Sequence, residues 1–326
     1  MSAKFQTTNA NMAEKFDSLE HSSESSIFSP SKSPLKSSPL ADIEWACIAP
    51  DKVVVATANP AWLHRPSPAG SGNPFARQMV GAGSAATTRK LLDGAIALAR
   101  SAVSSSSRPP ALTRTRWVWR LAGSYHLTHF TPRLMEEAAQ RFAKAGRKSL
   151  AQWAAQKARE EGGHDRLALL DIQSMGYEAE AVVEALVPPA AAALVDYFTR
   201  SVKDSDPIDC VGYCYTMERL AIGIGEKYIQ AVEALLPPGT HATRCLRVHS
   251  HVGSDVEHVE ETVEMVAGLT PEERTRVTIA CYETALLCFS PPREGYISEE
   301  ELQHVLRQLE SHARLRARSD FQPLTK

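Results

Sequence analysis

Beyond residue 87 no stretch of the chain alternates apolar and polar residues with the period of a half-buried strand. Apolar residues return at helical spacing instead. They do so in TTRKLLDGAIALARSAV, and again from near Leu112 through WVWRLAGSYHLTHFTPRLMEEAAQRFAKAG, which Pro132 kinks or splits. A third segment, SLAQWAAQKAREEGGHDRLALLDIQSMG, has Ser149 as N-cap and Gly176 as its stop. Pro188-Pro189 open AAAALVDYFTRSVK, and DCVGYCYTMERLAIGIGEKYIQAVEALL ends at Pro237-Pro238-Gly239. Thr270-Pro271-Glu272-Glu273 is a capping box with proline at the first helical position, and Ser298 with Glu301 repeats the spacing. The expectation is an all-α fold, about seven or eight helices around one core.

The rest of the composition narrows the function classes. Lys+Arg number 36 and Asp+Glu 38 in 326 residues, a formal charge of -2. That balance gives no electrostatic footprint for nucleic acid and no basic face for a membrane surface. No apolar run has the length of a transmembrane helix, and the N-terminus lacks the layout of a signal peptide. The six cysteines show no C-x-x-C spacing and read as free thiols of a reducing compartment, so a cytoplasmic location is expected. Residues 1–40 are serine- and proline-rich and are expected to be a disordered tail. Residues 41–86 are expected to be an irregular arm, because prolines and glycines follow the one strand-like run, VVVAT. Residues 87–326 make the helical domain.

Three clusters within that domain carry candidate chemistry. In HVGSDVEH, His251, Asp255 and His258 stand at i, i+4 and i+7, within about 40° of one another on a helix. Imidazole and carboxylate are the ligand set of iron, manganese or zinc. The blander account is a wet polar face. His249 lies about 160° from His251 on the same wheel and is left out of the set. In EEGGHDRLALLDI, Glu161 and His164 have the Glu-x-x-His spacing that puts both donors on one metal in helical bundles. Gly162 and Gly163 between them cost a helix roughly 2 kcal/mol relative to alanine. They imply a close backbone approach or a local distortion that aims His164; an ordinary charged face is the alternative. In YTMERLAIG, Glu218 sits among apolar neighbours, where a buried carboxylate needs a metal or a salt-bridge partner. Six nitrogen and oxygen ligands, half of them carboxylates, suit two iron ions better than one structural zinc.

These motifs, in this order, resemble the heme-oxygenase-like diiron oxidase and oxygenase superfamily, over roughly residues 88–290. The resemblance implies a heme-oxygenase-like bundle without heme. It implies two Fe(II) ions held by Glu161, His164, Glu218, His251, Asp255 and His258, with O2 as co-substrate. The relatives oxidise amines to N-hydroxy or nitro groups, or cleave fatty acids or amino acids oxidatively to alkenes. The implied substrate is therefore a small amine, amino acid or fatty acid, and no nucleic-acid or membrane partner is implied; a homodimer is left open. One departure stands out. The family's further glutamate on the first core helix is missing from LAGSYHLTHFTPRLMEE, where His126 is the first substitute as a metal ligand and His129 the second. Two other functions stay open: a mononuclear-metal or cofactor-free enzyme on the same scaffold, and a non-catalytic helical binding protein.

Overall fold

The computed structural model describes residues 43–66, 75, 79, 81, 83–103, 110–250, 255–289 and 296–310, without the side chains of Asp255 and Val256. The chain opens with β1 (Glu44–Ala49), β2 (Lys52–Ala56) and β3 (Ala61–His64). The first helices are α1 (Ala85–Ala102), α2 (Arg114–Lys144), α3 (Lys148–Glu160), α4 (His164–Ser174), α5 (Ala179–Ala185) and α6 (Pro189–Lys203). They are followed by α7 (Asp209–Ala221), α8 (Glu226–Glu233), α9 (Arg244–Val248), α10 (Asp255–Ala267), α11 (Pro271–Phe289) and α12 (Glu299–Gln308). The contacts divide the described residues into two compact units.

One unit joins the strands to α1, α7, α10 and α11. The strands form an antiparallel sheet in the order β1-β2-β3, where the sequence suggested an irregular arm. The run VVVAT, strand-like in the sequence, shows no period-two alternation for a physical reason. It forms the central strand, Val53 to Ala56 are all fully buried, and a strand covered on both faces does not alternate. Helix α1 lies against this sheet at Gly94, where a Cβ would come 2.9 Å from the Ala61 Cβ and 3.1 Å from the Val54 Cγ2. Gly212 does the same for α7 against α11, with the backbone of Val277 and Cys281 as its neighbours. A buried ion cluster ties the sheet to α11. Arg274 Nε stands 3.2 Å from Glu44 Oε1, Thr88 Oγ1 donates to the same carboxylate, and Arg274 Nη2 donates to the Gly81 carbonyl. Both ends of α11's capping box form: Thr270 N–H donates to Glu273 Oε2 at 2.9 Å and Glu273 N–H to Thr270 Oγ1 at 3.3 Å.

The other unit is built on α2, which runs unbroken through Pro132. Helices α3 and α4 pack along it, and Trp117, Leu121, Ile172, Val182, Leu302 and Leu306 fill a common core with α5 and α12. The Trp117 indole N–H, buried with them, donates to the Ala242 carbonyl at 2.8 Å. The segment read as one helix from Ser149 to Gly176 is two. α3 begins at Lys148 without a side-chain cap and ends at Glu160, and α4 starts at His164. Gly163 between them has φ +87°, a left-handed conformation that ends a helix cheaply only in glycine. The segment from Asp209 to Leu236 also divides, into α7 and α8. No helix among the described residues is long and apolar enough to cross a membrane.

Candidate metal centre

The break between α3 and α4 creates the candidate site. Glu161 is the C-cap of α3 and His164 the first residue of α4. Their spacing therefore bridges two helix ends instead of lying along one helix. His164 Nδ1 stands 3.0 Å from Glu161 Oε2, and the two side chains are 19% and 12% exposed. A carboxylate only accepts, so this nitrogen carries the proton in the metal-free chain. The His249 ring meets the His164 ring edge-on, with centroids 4.7 Å apart. One ligand atom each from Glu161, His164 and His249 lies within 4.8 Å of the others, and no other such metal-ligand cluster occurs among the described residues. Ligand bonds of about 2.1 Å draw neighbouring donors to roughly 3–3.5 Å, so an ion would pull this triad together by up to about 1.3–1.8 Å.

The electrostatics favour a cation there. Burial raises the Glu161 carboxyl, but the hydrogen bond from His164 and the charges of His249, His164 and Lys157 together hold it below its ordinary value. The carboxylate is thus ionised inside a half-buried pocket. Cys245, one turn before His249, is pushed up to about 12 by burial and by the charges of Asp171 and Glu161, so its thiol stays neutral. The donor set is nitrogen and oxygen, with two imidazoles and one carboxylate.

The wheel that set His249 aside assumed one continuous helix through HVGSDVEH. The structure ends α9 at Val248, makes His249 its C-cap, and starts α10 at Asp255. The rule of about 100° per residue does not run across such a gap. A signal was present: Ser254 and Glu257 have the S-x-x-E spacing that announces a helix start at Asp255. His251 lies outside the described residues, and so does the Asp255 side chain. His258 is half-buried on α10 and Glu218 is buried on α7, both in the unit that carries the sheet. In that unit Arg219 pairs with Asp93, which also accepts from the Tyr215 hydroxyl at 2.8 Å.

The two histidines offered for the missing glutamate have other work. His126 Nε2 lies 3.0 Å from the Val183 carbonyl and 3.2 Å from that of Leu186. With two acceptors before it, that nitrogen is a donor, and it fastens α2 to the end of α5. His129 Nδ1 pairs with Asp165 at 2.8 Å, and its ring stacks on Tyr125. Glu160, the carboxylate next to Glu161, accepts from Gln156 at 2.6 Å and pairs with Lys157.

No protein-family profile matches the chain, and no curated protein sequence does. Solved structures do. A domain of unknown function with a heme oxygenase-like fold, from Shewanella denitrificans OS217, superposes with a TM-score of 0.51 at 20% identity, covering 67% of this chain and 91% of that one. A TenA homolog from Pseudomonas syringae pv. tomato strain DC3000 gives a TM-score of 0.48 at 14% identity, covering 70% and 98%. At these identities the first likeness is one of fold alone.

Proposed function

For a chain with the heme-oxygenase-like fold, whose helix ends gather two imidazoles and a carboxylate at one point, we propose a non-heme iron enzyme that uses O2 to oxidise a small organic substrate. The observation that carries the reading is the convergence of Glu161, His164 and His249. Two histidines and one carboxylate on one face of an ion leave its other positions open, the arrangement used by Fe(II)-dependent oxygenases. A closed structural zinc site would fill four positions and favour thiolates, whereas the cluster here has three donors and no cysteine among them.

Bound iron would supply the redox chemistry with O2, and the protein's part is placement. Glu161 brings a full negative charge to the ion. With Nδ1–H donated to Glu161, His164 keeps Nε2 as the unprotonated nitrogen that would ligate an ion. The partial burial of the pair limits water around the ion and strengthens the attraction. An amine, amino acid or fatty acid is the proposed substrate class, resting on the family resemblance. A second ion, for which the sequence offers Glu218, His251, Asp255 and His258, extends the same proposal to a diiron enzyme.

Iron per chain after anaerobic Fe(II) loading tests this, with a stopped-flow O2 trace in the visible region. One iron, lost in His249→Ala and kept in His251→Ala, is the result expected of the triad. Two irons, one of them lost in His251→Ala, establish the diiron form. No iron in a folded wild type removes the metal reading and leaves a helical binding protein.

A further inference from the structure

A ligand from a helix end is only as well placed as that end. Helix α9 is five residues long, Arg244–Val248, too short to hold itself. Its N-cap, Thr243, makes no side-chain cap bond; the Thr243 hydroxyl donates instead to Glu233. The orphan N–H groups of the first turn are satisfied from elsewhere. Asp171, fully buried on α4, accepts the Arg244 N–H at 3.1 Å and the Cys245 N–H at 3.0 Å. Its Oδ1 also accepts from Arg244 Nη1 at 3.0 Å. A borrowed carboxylate thus caps α9. One turn later the His249 N–H reaches the Cys245 carbonyl at 3.4 Å, so the same turn of backbone that Asp171 grips carries His249.

Asp171 stands about two helical turns beyond His164 on α4, and an i, i+7 pair shares one helix face. That face therefore carries one donor of the triad and the clamp on another. The clamp is costly to keep unless it is used, since burial pushes the Asp171 carboxyl up against the three hydrogen bonds and the charge of Arg244.

We propose that Asp171 is a positioning residue of the metal centre: by capping α9 from α4 it holds the His249 imidazole within reach of Glu161 and His164. The proposal rests on the triad reading and deepens it. Asp171 touches no metal; it acts through His249.

Anaerobic Co(II) titration of the full chain tests this, because the visible bands of cobalt report both affinity and coordination. The variants are Asp171→Asn, His249→Ala and the double substitution, each with a thermal melt. Loss of a group that orients a metal ligand costs about 10- to 100-fold in affinity, which is expected of Asp171→Asn. The double variant is expected to bind no more weakly than His249→Ala alone, since Asp171 has no ligand left to position. Arg244→Gln, at a side chain 39% exposed, keeps the fold if Asp171→Asn does not, and is expected to weaken Co(II) roughly threefold with the same dependence on His249. Losses that add, with Asp171→Asn weakening Co(II) equally when His249 is absent, overturn the positioning role and leave the triad standing. Co(II) affinity unchanged by both His249→Ala and His164→Ala overturns the triad itself, and Asp171's role with it.

Discussion

Gly212→Ala isolates how tightly α7, the helix that carries Glu218, is set against α11. A Cβ built at Gly212 would stand 2.4 Å from the Val277 carbonyl oxygen, 2.6 Å from the Ala280 Cβ and 3.0 Å from the Cys281 nitrogen. Two of those neighbours are backbone, so no side chain can rotate away. The helices must part by at least about 0.6 Å along that contact. Overpacking of this kind costs typically 1–3 kcal/mol, and a backbone neighbour puts it at the upper end. Alanine returns up to about 1 kcal/mol through its better helix propensity. The net loss is about 2 kcal/mol, or a fall in Tm of roughly 3 °C for a chain of 326 residues. Gly123→Ala in α2 is the control. Its nearest neighbour is the Pro188 Cγ at 3.5 Å, an ordinary contact, so only the propensity gain remains and Tm is expected to rise by about 1–2 °C. Urea denaturation and a thermal melt of the two variants read both signs. Gly212→Ala as stable as wild type, or both variants shifting the same way, refutes the claim that contact distance decides the sign.

Three further outcomes follow from the described contacts. His126→Ala removes the donor to the Val183 and Leu186 carbonyls and is expected to cost about 1–3 kcal/mol in urea while iron per chain stays unchanged; lost iron would make His126 a ligand after all. Arg274→Ala strands Glu44 in the core and is expected to cost about 3–5 kcal/mol, with part recovered when Glu44→Gln is added; no recovery would mean the pair is not what binds the sheet to α11. Glu161 is held below its ordinary value, so its contribution is present above the unfolded pKa near 4.5 and lost as pH falls through the folded one. The metal-free wild type should therefore lose stability on acidification below about pH 4.5 more steeply than Glu161→Gln, as read from urea midpoints against pH; parallel curves would contradict it.

What could be read from the residues followed from how local the cause was. The Thr270–Glu273 box and the Pro189 start are set by neighbouring backbone groups, and both appear as written. Glu161 and His164 came from spacing alone, and the cost of Gly162-Gly163 pointed to the distortion that Gly163 supplies. Of the sheet only VVVAT looked strand-like, because Val53, Val54 and Val55 are covered on both faces and leave no alternation to extend the reading. His249 was beyond a helical wheel for a different reason. Its place is fixed by Asp171, a residue far away along the chain, and no local period records that.

The turn at Gly162-Gly163 also has a mechanical meaning. Without an ion, α3 and α4 meet at a hinge, joined by the softest residues available and spanned by one hydrogen-bonded pair. An ion gripped by Glu161 on one side and His164 on the other acts as a pin through that hinge. Loading the centre would stiffen two helices into one strut along α2, and slower amide exchange in the first turn of α4 would be its signature.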